Sequence, residues 1–285
     1  MTPDALLARA AEAIREADGL LVTAGAGMGV DSGLPDFRGD QGFWQAYPPY
    51  AKLGLSFADL ANPRWFEEDP SLAWGFYGHR LNLYRATRPH DGFARLRAWV
   101  TARPRGGYVL TSNVDGQFQR AGFAPDRVVE CHGTIDVWQC QRECGAGLFG
   151  AGQVAVDPVT FRASAPLPAC PGCGGLARPN VLMFGDGGWD DTRTMAQQRG
   201  LERWLVELGG AGARLAIVEC GAGTAVATIR ATGEALASRM GATLIRFNPR
   251  EWQAPAGALA LPLAAGEGLA RLDRLLMLAG SPPPA

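Results

Sequence analysis

The stretch LLVTAGAG, Leu20 to Gly27, is a short apolar run that ends in glycines. Such a run marks a strand buried on both faces, and the glycines mark a tight turn at its end. The pattern returns in GYVLTSN (107–113), RVVECHG (127–133), RLAIVECGAG (214–223) and ATLIRFN (242–248). Helical stretches such as FARLRAWVTA (93–102) and ATGEALASRM (231–240) lie between these runs. Strands alternating with helices predict an α/β fold, a doubly wound, Rossmann-like parallel sheet whose ligands sit beyond the C-terminal strand ends. At the start of the chain, Thr2, Pro3 and Asp4 predict a capped amphipathic helix ending near Gly19.

Two regions break the alternation. Residues 39–80 are rich in proline and aromatics, which predicts a loop leading into a few helices, and 137–176 carry four cysteines among Gly and Pro. We assign 1–38, 81–136 and 177–285 to the sheet domain, and 39–80 and 137–176 to a smaller helical and zinc-binding module inserted into it.

The 285 residues, 47% of them hydrophobic, suit one large domain with such an insert and a sizeable core. A formal net charge of −1 gives no global field that favours nucleic acid or an anionic membrane. The N-terminal residues lack a basic start followed by an apolar core, and no apolar run approaches membrane-spanning length, so the expected setting is intracellular and cytoplasmic. Lys52 is the one lysine among 27 basic side chains. This excludes a Walker P-loop and pyridoxal chemistry, both of which need a suitably placed lysine.

In a reducing setting six cysteines point to metal ligands or buried thiols rather than disulfides. Cys140 and Cys144 are three residues apart in spacer, and Cys170 and Cys173 two, so two close pairs offer the four thiolates of a structural zinc. Four unligated thiols is the alternative. Cys131 and Cys220 lie in apolar strands, where burial is the simpler role.

The segment GAGMGVDSGLPDFRG, Gly25 to Gly39, starts like a dinucleotide fingerprint, but Val30 stands where G-x-G-x-x-G needs its last glycine. The turn still offers backbone amides after a strand, and a glycine-rich turn with no ligand is the competing reading. The residues beyond the turn are more specific: Asp36, Phe37 and Arg38 place a carboxylate, an aromatic plate and a guanidinium together. Arg38 can pair with phosphate or ribose oxygens, and Phe37 can cover a flat ring.

Here the chain resembles the sirtuins, the NAD-dependent protein deacylases. Their pattern G-A-G-(Ile or Met)-Ser-x-x-Ser-Gly-Ile-Pro-Asp-Phe-Arg is matched except for Gly29 and a conservative Leu34. TSNVDGQFQRAG resembles the family's T-Q-N-I-D-x-L-x-x-x-A-G, ECHG its His-Gly, the four cysteines its zinc module, RPNVLMFGD its R-P-x-V-V-x-F-G-E, and FN its late I-N. The matches run in order along nearly the whole chain.

The resemblance implies NAD as co-substrate, structural zinc and an acyl-lysine protein or peptide as partner, with neither nucleic acid nor membrane. It implies His132 as the general base on a ribose hydroxyl, Asp115 on the nicotinamide carboxamide and Asn113 ordering the ribose or a water. Without it, Asn113 and Asp115 read equally well as helix caps, and His79 and His90 read as structural. The cofactor set it implies is Gly25, Ala26, Gly27, Asp36, Phe37, Arg38, Ser112, Asn113, Asp115, Gly221, Ala222, Gly223, Thr224 and Asn248. Val181 to Gly185, including Phe184, is implied to pair with the substrate backbone and line an acyl-lysine tunnel. The implied reaction releases nicotinamide, free lysine and O-acyl-ADP-ribose. The acyl group expected is acetyl.

Departures bear on this. Ser112 replaces the family's Gln and cannot span the same distance, and Gly221-Ala222-Gly223 lacks two hydroxyls of the family's G-T-S turn, of which Thr224 can supply one. Members that prefer succinyl or malonyl lysine carry a Tyr-x-x-Arg pair soon after the Phe-Arg-Gly segment, and this chain has YPPY and YAKL there. ADP-ribosyl transfer or NAD hydrolysis, and an NAD-sensing module with little turnover, remain as alternatives. Retention of His132 argues against pure sensing, which needs no base.

Overall fold

The computed structural model describes residues 2–35, 47–52 and 54–278. β1 (Gly19–Ala24) is buried along its whole length. Leu20, Val22 and Ala24 join one apolar layer while Leu21 joins another, because successive strand residues point to opposite faces and both faces are covered. β2 (Gly107–Thr111), β3 (Val128–Glu130), β7 (Leu215–Cys220), β8 (Thr243–Phe247) and β9 (Leu259–Leu261) complete a parallel six-stranded sheet in the order β3-β2-β1-β7-β8-β9.

Helices of eight or more residues are numbered α1 (Pro3–Glu16), α2 (Pro70–Ala86), α3 (Asp91–Thr101), α4 (Thr192–Gly210), α5 (Thr228–Met240) and α6 (Ala265–Leu278). α1 starts where expected, with the Thr2 hydroxyl accepting from Ala5 N–H at 3.3 Å. Leu7, Phe93, Leu96, Leu269 and Leu272 bring α1, α3 and α6 onto one face of the sheet. Leu201, Trp204, Leu205, Ile229 and Leu236 bring α4 and α5 onto the other. Burial of side chains this large stabilises by about 1.5–3 kcal/mol each. Neither α4 nor β9 stands out in the sequence, where α4 is interrupted by Gly200 and a polar run. Strand order reverses beside β1, between β2 and β7, and that is where a doubly wound sheet opens its ligand crevice.

A second sheet is antiparallel, with β4 (Gly133–Cys140) between β5 (Phe149–Gly150) and β6 (Ala177–Val181). It runs past the limits 137 and 176 read from the sequence, since β4 starts at Gly133 and needs β6 as its partner. α2 likewise runs through the limit at 80. Tyr47, Tyr50, Trp74, Phe76 and Tyr77 share an apolar cluster with Trp138, Val181 and Met183, so helical segment and small sheet have one core. Lys52 is exposed at the end of the short helix Pro48–Lys52. Among the described residues no helix is long and apolar enough to cross a membrane.

Candidate active site

The turns after β1 and β7 form the floor of the crevice and are pressed together. Gly25 N–H donates to the Cys220 carbonyl and Gly27 N–H to that of Gly221, both at 3.1 Å. Gly221 has φ +63°, and a Cβ there would lie 2.3 Å from the Gly27 carbonyl carbon; a Cβ on Gly25 would lie 2.8 Å from Ala222 Cα. Glycine is therefore required on both sides by backbone contact rather than by a ligand. Ala26 and Gly27 lead directly into the helical turn Gly27–Val30.

The next strand end carries Ser112, Asn113 and Asp115. Ser112 N–H donates to the Ala24 carbonyl at 3.2 Å. The Thr111 hydroxyl donates to the same carbonyl at 2.9 Å and accepts from Asn113 N–H at 3.0 Å, and Asn113 Nδ2 donates to the Gly25 carbonyl at 3.0 Å. Asn113 is thus fixed against the glycine turn. Asp115 is buried, and its Oδ1 accepts from Gln117 N–H at 2.9 Å. Burial pushes its pKa up to about 6, while the Gln117 hydrogen bond and the guanidiniums of Arg120 and Arg80 pull the other way.

His132 stands between β3 and β4, where the chain leaves the parallel sheet for the small one. Burial depresses its pKa, and a hydrogen bond to the Ser112 backbone opposes that shift. The ring is a neutral base near pH 7, held by the strand end that carries Asn113 and Asp115. Gly133 next to it has φ +76°, and a Cβ there would fall 2.1 Å from the Asn180 carbonyl oxygen. The turn between the sheets therefore requires the glycine that follows His132.

Across β1 the side chains are spent on one another. Ala222 is buried. Asn248, fully buried, donates to the Ala222 carbonyl at 2.9 Å and accepts from the N–H groups of Arg250 and Glu251 at 3.1 and 2.9 Å. It shapes the loop at this strand end. Thr224 N–H donates to Glu251 Oε1 at 3.2 Å, and its hydroxyl donates to the same oxygen. The hydroxyl expected for a ribose is already engaged.

The segment after β6 lies beside His132, whose carbonyl accepts from Leu182 N–H at 3.0 Å. Phe184 N–H donates to the Ala61 carbonyl at 2.9 Å. Leu182 and Phe184 are exposed, whereas Val181 belongs to the buried cluster. Gly185 has φ +70° and leads into Asp186, whose carboxylate pairs with Arg178 in a fully buried contact and also accepts from Met183 N–H at 3.2 Å. This pair holds the segment in shape.

Cys140, Cys144, Cys170 and Cys173 come together with all four sulfurs within 4.8 Å of one another. The Cys140–Cys173 and Cys144–Cys170 separations are 3.6 and 3.5 Å. Zn–S bonds of about 2.3 Å in a tetrahedron put sulfurs about 3.8 Å apart, so the set fits a structural zinc with no place left for water.

A sequence model of the Sir2 family matches residues 25–228, most of the chain. The chain belongs to the Sir2 family. An NAD-dependent protein deacylase of Thermus thermophilus is 30% identical over 274 residues, 93% of each chain. One from Aeropyrum pernix is 36% identical over 182 residues, 63% of this chain and 64% of that protein, so this match spans less than two thirds of the relative's length. A Sir2 homologue solved as its NAD complex superposes with a TM-score of 0.69 at 26% identity, covering 96% of this chain and 94% of that one.

Within this Sir2 fold the predicted residues of the crevice come together at five adjacent strand ends, except that Asp36, Phe37 and Arg38 lie outside the described residues. One expectation needs correction. A Tyr-x-x-Arg pair is present, not at residues 47–53 but at Tyr77 and Arg80, one turn apart on α2. Arg80 is buried, donates to the Tyr84 hydroxyl at 2.9 Å and lies 5.6 Å from the Phe57 ring, which itself meets Phe184 edge-on at 6.4 Å. Sequence reasoning also missed Glu251 and the Arg178–Asp186 pair. The acid three residues past Asn248 was the available signal for the first.

Proposed function

We propose that the protein removes acyl groups from lysine side chains of proteins or peptides, with NAD as co-substrate. The observation that carries this is the convergence of His132, Asn113 and Asp115 on one end of a crevice floored by the Gly25–Gly27 turn. In this reading Asp115 accepts from the nicotinamide carboxamide, and Asn113 orders the adjoining ribose or a water. The acyl oxygen attacks the ribose carbon as nicotinamide leaves. His132 then takes the proton of the neighbouring hydroxyl as that oxygen attacks the acyl carbon. One water then adds to the acyl carbon as the lysine nitrogen leaves it, and free lysine and O-acyl-ADP-ribose result. Phe37 would exclude bulk water and returning nicotinamide. The face marked by the exposed Leu182 and Phe184 would take the peptide as an added strand, through backbone carbonyls, because the N–H groups of 182–184 are already engaged. Zinc on the four thiolates would tie β4 to the 170–173 turn and take no part in the chemistry.

The division of labour between a cofactor-binding sheet domain and a module that shapes the substrate side belongs to the same proposal. So does a cytoplasmic setting, which the need for reduced thiolates supports. A net charge of −1 supports neither nucleic acid nor an anionic membrane as partner.

A second reading concerns the acyl group. Arg80 lies against Phe57, whose ring meets Phe184, and its charge bears on Asp115, which supports a place between substrate segment and nicotinamide end. A carboxylate at the end of an acyl chain would meet a guanidinium there. Acidic acyl groups are therefore included with acetyl. The test is incubation with NAD and acetyl-, succinyl- and malonyl-lysine peptides, with products identified by mass spectrometry. O-acyl-ADP-ribose supports deacylation; ADP-ribosylated peptide or free ADP-ribose alone would replace it with the transfer or hydrolysis reading. Removal of acetyl only would overturn the role of Arg80.

A further inference from the structure

We propose that His90 is a positioning residue for the cofactor turn and makes NAD binding proton-linked: the neutral ring holds Met28 to Ser32 in place, and a second proton on the ring releases them. This rests on the NAD reading above. The turn lies between the crevice and His90. Met28 N–H donates to the Gly25 carbonyl at 3.0 Å, and a Cβ on Gly29 would lie 3.7 Å from Asp115 Oδ2, so the helical turn Gly27–Val30 borders the nicotinamide end. Behind it, His90 Nε2 meets the Met28 carbonyl at 3.1 Å, and His90 N–H donates to the Ser32 hydroxyl at 3.0 Å. The same residue caps α3, its Nδ1 accepting from Gly92 N–H at 3.1 Å. A Cβ on Gly92 would lie 2.4 Å from His90 Cε1, so this glycine makes room for the ring.

These partners leave the ring one protonation state. A backbone carbonyl only accepts and a backbone N–H only donates, so Nε2 carries the proton and Nδ1 does not. A proton on Nδ1 would face the Gly92 N–H and add positive charge at the N-terminal end of α3, where the helix dipole disfavours it. The cap is then lost, the ring turns away, and the Met28 carbonyl loses its donor. Burial lowers the pKa of His90, against the Met28 hydrogen bond and the carboxylates of Asp31, on the turn, and Asp91, on α3; Arg95 of α3 adds to the lowering. From α6, Leu269 packs against Gly92, Gly266 N–H donates to Asp31 at 2.6 Å, and Asp273 pairs with Arg95 at 3.4 Å. Because the folded pKa lies below the unfolded value of 6.5, the neutral ring's contribution is complete above that value and is lost as pH falls from it towards the folded one. Cofactor affinity falls in the same direction.

The test is calorimetric titration of the whole protein with ADP-ribose, which needs no turnover, from about pH 8 to about pH 5 in wild type and His90→Asn. Asparagine keeps an acceptor at the cap and takes up no proton. Wild type should lose about three- to tenfold more affinity than the variant over that range, since Asp115 and His132 titrate in both. Histidine-selective NMR of wild type gives a second readout, with three histidines told apart by single replacements. His90 should show the Nε2–H tautomer in the neutral protein, and ADP-ribose should lower its pKa further, as linkage requires. Parallel affinity profiles in wild type and folded His90→Asn would overturn the proposal. So would a His90 pKa that ADP-ribose leaves unchanged, a result that needs no folded His90 variant. If wild type binds no ADP-ribose at any pH, the NAD reading fails and this inference with it.

Discussion

The two ends of the crevice are built differently. At the β2–β3 end, side chains with chemistry stand in place: Asp115 with a carboxyl pushed up to about 6, Asn113 anchored on Gly25, and His132 kept neutral by burial. At the β7–β8 end, Asn248, Thr224, Glu251 and Arg230 are tied to one another and to backbone carbonyls. The first end tolerates the cost of burying ionisable groups because their protonation is what they contribute; the second satisfies its polar groups internally and offers the cofactor shape and one carboxylate. Replacing a residue should accordingly change rate at one end and affinity at the other.

The largest effect is expected from His132→Ala. Loss of a general base should lower deacylation by about 10²–10⁴-fold with the melting temperature nearly unchanged, checked by product formation and thermal unfolding. A folded variant with full activity would remove the distinction between the ends.

Asp115→Asn should next show the cost of function at the same end. The folded-state pKa lies above the unfolded value of 3.8, so the carboxyl favours the folded state below pH 4, and that contribution is lost as pH rises through about 6. The amide keeps an acceptor for Gln117 and has no charge to bury. The variant should be more stable at pH 7 by about 2–3 kcal/mol and less active, with the stability difference shrinking towards pH 4. A difference independent of pH would show that Asp115 is not desolvated.

The smallest expected effect limits that contrast, because Ser112 follows β2 and yet is expected to act on cofactor affinity rather than on rate. Ser112→Gln should tighten the apparent NAD constant by about two- to tenfold, the worth of one net hydrogen bond, with little change in maximal rate. Steady-state kinetics in NAD at saturating acyl peptide would decide it, and a changed rate at constant NAD affinity would contradict the assignment.

The sheet was legible because LLVTAGAG and its four echoes are buried on both faces, so hydrophobicity alone marks them. β6 was not, since Ala177–Val181 contains Arg178, Pro179 and Asn180, and its polar side chains are buried by Asp186 and Gln139 rather than by apolar contact. The motifs singled out the four cysteines that the structure brings together, and His132, Asn113 and Asp115, which it sets at adjoining strand ends. Glu251 escaped because its hydrogen bonds are to Thr224, 27 residues away in the chain and adjacent only in space. The loop bonds of Asn248 were likewise not legible, since they join it to Ala222, 26 residues away, as well as to its neighbours Arg250 and Glu251.

The solitary Lys52, exposed at the end of its short helix, has a consequence for the protein's own chemical history. Reactive thioesters and acyl phosphates modify amines, and guanidiniums resist them. With arginine as every other basic side chain, including all the side-chain cations in its described ion pairs, the protein offers such donors one side-chain amine beyond its α-amino group. Under the deacylation proposed above, such a surface would leave the protein almost free of the lesion it would repair.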